Sequence, residues 1–565
     1  MAEQVSGSLI TRKYQNFRGV DFSNRKDEVS LYRSPDALNM WKNYKNSKGR
    51  CVESRPDIAL VKEFAETIFG LFFYTYNNSV HRIVHAGTKL YDNDNVIYEN
   101  MSEHKSQAFI YKKLFYIKDG SKYYVYDGTT VKEVEGYIPT TSISRSPNGG
   151  GTIYEDVNLL TGIRQNSFCA DGASKDYIVD SEGFDADYKV KVWVDGKEVT
   201  NFTTTPSTGK ITFTTAPKEP NTVGQDNVII QFRKTVKGYR DRIDKCTLLE
   251  VFDNRVFFSG NPDYPNMLWH CSLEAPTYCS DLDYYTEGVD DSKIKALVSG
   301  NNNLWVMKEP SQTNTTIFYH TPVIDEELGK VYPSTHSSIS TGCVSTATNF
   351  NDDIVFFSER GLEGISGDVT TEQVLAHRST CVDNKLLNES KYKDVILEEW
   401  EGYLLAIVGK HIYLADSRTS MTNVDHSEPE WFYWEFDIDI TCTRVKDGVL
   451  YLCSDKAIYT LTKTDTNINA YWTTLDDEFS YPQYQKTTNK KGCVIDLEGS
   501  SVTIAVKTDN NRFETIKTYS NTKGYVAARI KKKKWKSIQL KFSSNKPFGV
   551  YASTLEAYIG SYVKR

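Results

Sequence analysis

Apolar and polar positions fall into short blocks along this chain: an aromatic or β-branched run, a polar turn, then a second run, with the doublet returning roughly every 40 to 50 residues. Phe69–Tyr76 with His81–Val84, and Lys113–Lys118 with Lys122–Tyr126, are two such doublets. Arg255–Phe258, Leu304–Met307 with Thr316–Tyr319, and Ile354–Phe357 with Leu362–Ile365 continue the series. Tyr403–Val408 with His411–Leu414, and Val449–Leu452 with Ala457–Leu461, complete it. The turns carry Asn, Asp, Gly and Lys, as at Asp119-Gly120, Asn351-Asp352-Asp353 and Asp447-Gly448, which is hairpin chemistry. A hairpin of this size cannot bury its own faces, and hairpins recurring at this spacing stack radially as the blades of a β-propeller. About six or seven blades are predicted between residues 65 and 465. A run of separate β-sandwiches is the competing architecture, but it gives no reason for near-equivalent doublets.

Two stretches break the rhythm. Residues 143–237 open on Ser146-Pro-Asn-Gly-Gly-Gly151 and contain the strand-like runs Tyr177–Val179, Val190–Val194, Lys210–Phe213 and Val228–Phe232. They predict an inserted small sandwich of the seven-strand, immunoglobulin-like or a related kind. From 466 onward, Val502–Val506, Ser537–Phe542 and Phe548–Tyr551 read as strands of a further sandwich. The predicted fold is therefore all-β: a propeller with an inserted sandwich and a terminal β platform. Residues 1–64 join the platform, 65–142 form the first blades, 143–237 the insertion, 238–465 the remaining blades and 466–565 the C-terminal platform.

Composition agrees with strands. Of 565 residues, 37 are Tyr and 26 Phe, an aromatic bias suited to pleated, half-buried surfaces. With 67 basic and 74 acidic residues the net charge is -7, which excludes wholesale coating of nucleic acid and leaves room for local patches. No apolar window approaches the 18 or so residues of a membrane helix. The opening MAEQVSGSLITRKYQNF lacks a signal-peptide core, so cytoplasmic synthesis without membrane insertion is expected. The ten Cys include no C-x-x-C pair and are expected as reduced core residues. The five N-x-S/T sequons, Asn314-Thr315-Thr316 among them, are then not glycosylated.

Catalytic chemistry finds no anchor. There is no G-x-S-x-G to supply a nucleophile elbow. His81 and His85 have the spacing of a zinc helix but lie in a strand, with Arg82 in place of the general-base Glu. The carboxylate pairs Asp281/Asp283, Asp290/Asp291 and Glu398/Glu399 have the composition of a glycosidase pair, and among 74 acids they read as solvated surface. Asp92–Asn95 resembles the start of a calcium loop but lacks Gly at the sixth position, and reads as a hairpin turn. Aromatic groups such as Phe72-Phe73, Phe257-Phe258 and Trp431–Trp434 are expected in the core rather than on a glycan platform. No enzyme, metal or cofactor is expected.

One charge feature is dense: Arg529-Ile-Lys-Lys-Lys-Lys-Trp-Lys536. Arg529, Lys531, Lys532, Lys533, Lys534 and Lys536 are the candidate contacts to a phosphate backbone. The alternative is a sheet edge protected by lysine.

The N-terminal Asn16-Phe-Arg-Gly-Val-Asp21, then Arg33–Asn39, Gly49-Arg50 and Ser54-Arg-Pro-Asp57, resemble the opening of the tail tubular protein B family, the tail nozzle or hub proteins of short-tailed bacteriophages, and of related phage DNA-stabilisation proteins. Ser340–Ser345 followed by Ile354–Gly361 resembles a blade motif of that group, and Arg529–Trp535, Ile538–Phe542 and Gly560–Arg565 are similar to its C-terminal end. The resemblance covers most of the chain outside 143–237. It implies a virion protein in a homo-hexameric ring below portal and adaptor, surrounding the channel through which packaged duplex DNA leaves, with fibre, spike or needle proteins outside. It marks Gly19, Asp21, Asp36, Asn39, Arg55 and Pro56 as assembly residues. A receptor- or glycan-binding tail propeller is the alternative, with a depolymerase behind it.

Overall fold

The computed structural model describes residues 7–46, 51–289, 291–311, 315–326, 329–337, 339–366, 374–416, 418, 429–463 and 467–562. Two compact units emerge, one formed by residues 1–71 with 341–565 and the other by 72–340.

Seven four-stranded antiparallel arrays recur along the chain, six as separate sheets and one, the sixth in order, as the end of a larger sheet. Their first hairpins span Ile68–Tyr76/Ser79–Ala86, Gln107–Tyr111/Leu114–Lys118, Leu248–Phe252/Arg255–Ser259, Ile294–Gly300/Asn303–Lys308, Ala347–Phe350/Asp353–Ser358, Ile396–Trp400/Tyr403–Val408 and Cys442–Lys446/Val449–Cys453. Each turns on two residues, and in every case both have positive φ: Asn77-Asn78, Lys112-Lys113, Asp253-Asn254, Asn301-Asn302, Asn351-Asp352, Glu401-Gly402 and Asp447-Gly448. That is the type I′ turn, whose twist matches the right-handed twist of the strands it joins. Asn, Asp and Gly tolerate the left-handed region at least cost, which explains five of the seven pairs outright.

The seventh sheet completes itself from the other end of the chain. Its fourth strand is Asp57–Glu63, paired antiparallel with Ala457–Thr462 from Thr462 opposite Asp57 to Ala457 opposite Glu63. Seven four-stranded blades, the last closed by an N-terminal strand, make this a β-propeller.

Strand alternation sends successive side chains to opposite faces, and here both faces are covered. In the second unit, Phe115 and Ile117 of blade two join Phe72, Tyr74 and Ile83 of blade one in one core. The intervening Tyr116 turns the other way and joins Val256, Phe258 and Trp269 of blade three. Phe257, beside Phe258, points instead to Leu304, Val306 and Phe318 of blade four. The aromatic doublets of the sequence are thus residues that seal two interfaces at once.

Between blades two and three, residues 140–233 form a six-stranded and a three-stranded sheet around Phe168, Tyr177, Val192, Ile211, Phe213, Ile230 and Phe232. The two sheets hold nine strands rather than the expected seven, and Thr140–Arg145 runs parallel to Ile163–Phe168, a pairing the immunoglobulin pattern lacks.

In the first unit, the sheet of blade six does not stop at its fourth strand, Glu430–Glu435. It continues through Met40–Trp41 and Val52–Ser54 into the long C-terminal strands Phe548–Tyr562 and Cys493–Thr508. Blade and platform share one hydrogen-bonded sheet, because the N-terminal strands pair with both.

The turn chemistry is directly testable. Asn302→Val puts a β-branched residue at φ 59° and is expected to lower stability by about 1–2 kcal/mol, whereas Asn302→Gly is expected to leave it unchanged or raise it, both read from guanidinium unfolding midpoints.

Candidate polyanion-binding surface

The segment 529–537 connects the strand Glu514–Ala528 to Ile538–Ser544. It is not a strand, so the lysine-protected edge expected as the alternative does not describe it. Two apolar side chains tie it down. Ile530 is fully buried, and Trp535 is 1% exposed and meets Phe479 edge-on at 5.5 Å. Backbone bonds fix the same two points: Lys486 N donates to Trp535 O at 2.7 Å, and Trp535 N to Lys486 O at 3.1 Å. Thr488 Oγ1 donates to Ile530 O at 2.8 Å and accepts from Lys532 N at 3.0 Å. Asp509 Oδ1 receives the amides of Lys536 and Ser537.

Underneath lies a buried cation. Lys486 Nζ donates to the carbonyls of Tyr481, Tyr484 and Lys536 at 2.8, 3.0 and 2.7 Å. Burial lowers its pKa to about 8.

With the backbone so held, Arg529, Lys531, Lys533, Lys534 and Lys536 are all exposed. Lys532 is half-buried and pairs with Glu514 at 2.6 Å. Two further exposed cations, Lys490 and Lys491, sit in the turn after Thr488, whose amide donates to Lys532 O. They were missed in the sequence because they lie some 40 positions upstream. A regional charge count would have drawn attention to them: residues 466–565 carry 17 Lys and Arg against 8 Asp and Glu, in a chain that is acidic overall. Such an array of exposed cations on a fixed backbone suits a polyanion read by charge rather than by sequence.

The motif residues are elsewhere in the first unit and form a clamp. Gly19 has φ 88°, and a Cβ there would lie 2.1 Å from Trp431 O; the next amide, Val20, donates to that oxygen. Asp21 receives the amides of Ser23 and Asn24, closing a local turn. Asp36 Oδ1 accepts from Tyr471 Oη at 2.9 Å. Asn39 Oδ1 accepts from Arg55 Nε at 2.9 Å and Glu435 N at 2.8 Å, and its amide group donates to Asn469 O. Arg55 also donates to Glu435 O and Pro56 O and lies 4.0 Å from the centre of the Phe436 ring. Burial lowers its pKa to about 10. These groups join the N-terminal segment to blade six and to the strand Ala470–Thr473. Gly49 and Arg50 lie outside the described residues.

The remaining sequence candidates resolve simply. His81 Nδ1 meets Asp92 at 2.7 Å, and Asp92 also accepts from Tyr126 Oη. His85 is buried and bonded to Gly87 O, and burial lowers its pKa to about 4. No cluster of three metal-ligating side chains occurs among the described residues. Burial raises Asp281, and raises Asp283 to about 6; Asp290 lies outside the described residues. Glu398 and Glu399 are neighbours in the strand Ile396–Trp400, so they take opposite faces. Trp431 and Trp434 are fully buried. No disulfide joins any of the ten cysteines.

Blade five holds one titratable network. His377 lies between Asp383, at 2.6 Å, and the buried Glu363, at 3.2 Å, and Ser379 Oγ donates to Asp383. Gly361 (φ 123°) leaves room for it, since a Cβ there would lie 2.4 Å from Ser379 Oγ and 2.6 Å from Asp383.

No family model matches this chain, and no curated protein matches it. Among solved structures, BamB from Moraxella catarrhalis is similar over 72% of this chain and 97% of its own, at 10% identity and a TM-score of 0.33. A glycoside hydrolase family 43 arabinoxylan arabinofuranohydrolase from Bacillus subtilis is similar over 96% of this chain and 99% of its own, at 8% identity and a TM-score of 0.23. An exo-beta-1,3-galactanase from Phanerochaete chrysosporium is similar over 82% and 97%, at 7% identity and a TM-score of 0.18. These likenesses are too distant to add to the strand pairing, on which the propeller assignment rests.

Two measurements separate scaffold from surface. Arg55→Met strands the bonds to Asn39, Glu435 and Pro56 and is expected to cost about 2–3 kcal/mol in chemical unfolding, while Lys533→Gln is expected to stay within about 0.5 kcal/mol of wild type. The two carboxylates hold His377 at about 9, above its ordinary 6.5. Its stabilisation is then fully present below pH 6.5 and lost as pH rises through 9, on the order of 1–2 kcal/mol. The stability difference between wild type and His377→Gln is expected to shrink across that window.

Proposed function

We propose that this chain is a structural virion protein of the tail nozzle type, one of six copies in a ring below portal and adaptor that completes the DNA exit channel, retains packaged genome and docks outer tail parts. The observation that carries the reading is the braced loop 529–537, which holds five cations outward beside Lys490 and Lys491. Duplex phosphates attract such a surface whatever the base sequence, and six-fold repetition turns one loop into a belt. A structural role also fits His81, His85, Asp281 and Glu398, whose side chains are engaged by neighbouring groups of the fold. The aromatic residues weighed as a glycan platform, Phe257, Phe258, Trp431 and Trp434, are instead in the core.

The test substitutes Arg529, Lys531, Lys533 and Lys534 together by Gln in the full chain and measures duplex DNA affinity against salt. The salt slope is expected to fall by roughly 3 to 4, and particles carrying the variant are expected to leak genome. Unchanged affinity and unchanged retention would overturn the DNA contact. Averaged tail images showing no six-fold ring of this chain would overturn the nozzle.

A further inference from the structure

We propose that Cys442 and Cys453 are a modification site: a thiol pair that a low-molecular-weight disulfide converts to a cross-strand disulfide, clamping the blade closed by the N-terminal strand. The inference is independent of the nozzle reading. Cys442 opens the first strand of blade seven and Cys453 ends the second, and the register sets them opposite each other. Directly opposed residues of an antiparallel pair have Cα atoms about 4.5–5.5 Å apart, inside the range of about 4.4–6.8 Å found across disulfides. The two thiols are hydrogen-bonded to one another. Cys442 is half-buried, which gives a small reagent access, and Cys453 is buried. Among the described strand ladders no other cysteine stands opposite a cysteine.

The chemistry balances as two exchanges. The Cys442 thiolate attacks one sulfur of the reagent disulfide, forming a mixed disulfide and expelling one thiolate. Cys453 then gives up its proton to solvent and attacks the Cys442 sulfur, expelling the second. The reagent is reduced to two thiols and the protein gains one S–S bond. The hydrogen bond that it donates to Cys442, and then burial, hold the Cys453 thiol protonated, so the second exchange is expected to accelerate as pH rises.

The bond ties together the first two strands of the blade, of which the second pairs with Ala457–Thr462 and, through it, with Asp57–Glu63. A reduced hairpin in the cell and a clamped one after exposure to an oxidising medium follow from compartment chemistry.

The experiment incubates the full chain with oxidised glutathione, alkylates it in denaturant and maps tryptic peptides without reduction. Wild type is expected to lose two alkylatable thiols and to yield the peptide ending at Arg444 linked to Asp447–Lys456. The guanidinium midpoint of the oxidised protein is expected to rise, and dithiothreitol to reverse it. Cys442→Ser is expected to lose no thiols and to show no oxidant-dependent shift, and Cys493→Ser to behave as wild type. An unchanged thiol count, a persistent glutathione adduct on Cys442, or the same thiol loss in Cys442→Ser would overturn the site. A disulfide that forms without raising the midpoint would overturn the clamp.

Discussion

A four-stranded sheet has two faces and no means of covering either, and this one constraint shapes most of the chain. Strand residues alternate in direction, so each blade must find a partner sheet on both sides. Phe257 and Phe258 meet different neighbours for this reason, and Tyr403–Val408 is buried at every position. Large side chains are favoured because interiors pack to crystal-like density, and a Phe or Tyr fills the gap between sheets in one residue. The aromatic bias is a consequence of the architecture.

The same constraint explains the termini. The first unit cannot be finished by consecutive sequence: blade seven lacks a fourth strand until Asp57–Glu63 arrives, and blade six leaves an open edge until Met40–Trp41 pairs with it at Tyr433. The N-terminal segment therefore serves as a clamp, which accounts for its polar residues. Asn39 sits at φ 55° because its side chain must reach Arg55, Glu435 and Asn469 at once. Gly19 stands where no Cβ fits beside Trp431. Lys42, at the end of the same segment, forms a buried ion pair with Glu430 of blade six. Removing either partner of such a pair leaves an uncompensated charge, so the clamp fixes one docking geometry.

How much of this was legible in the sequence depended on whether the signal was local. Hairpin doublets and Asn- or Asp-rich turns are local, and they led to the propeller. The blade number was harder, because Lys112-Lys113 and Glu401-Gly402 adopt the same turn as Asn301-Asn302 without looking alike. Blade seven hid its last strand nearly 400 residues upstream. The insertion was visible as a break in rhythm, but its parallel pair was not, since parallel and antiparallel strands carry the same alternation. The lysine run stood out as a charge cluster, whereas Trp535 and Thr488, which hold it, became meaningful only once packing was known. Lys490 and Lys491 reach the same surface through the pairing of Thr488 with Lys532, a contact no local pattern encodes.

That loop is expensive by the standards of the rest of the chain. Like charges a few residues apart repel by about 1 kcal/mol per close pair even in water, and Lys534 occupies the left-handed region at φ 58°, where a non-glycine residue costs roughly 1–2 kcal/mol. A lysine run with no other demand on it would relax into a mobile, solvated turn. Instead Ile530 and Trp535 are buried on either side of it, and Lys486 is taken out of water to satisfy three carbonyls beneath it. Burying an aromatic and an aliphatic side chain contributes about 1.5–3 kcal/mol each, enough to offset the strain and part of the repulsion. What results is position rather than stability: the backbone that carries the cations is already ordered in the folded chain.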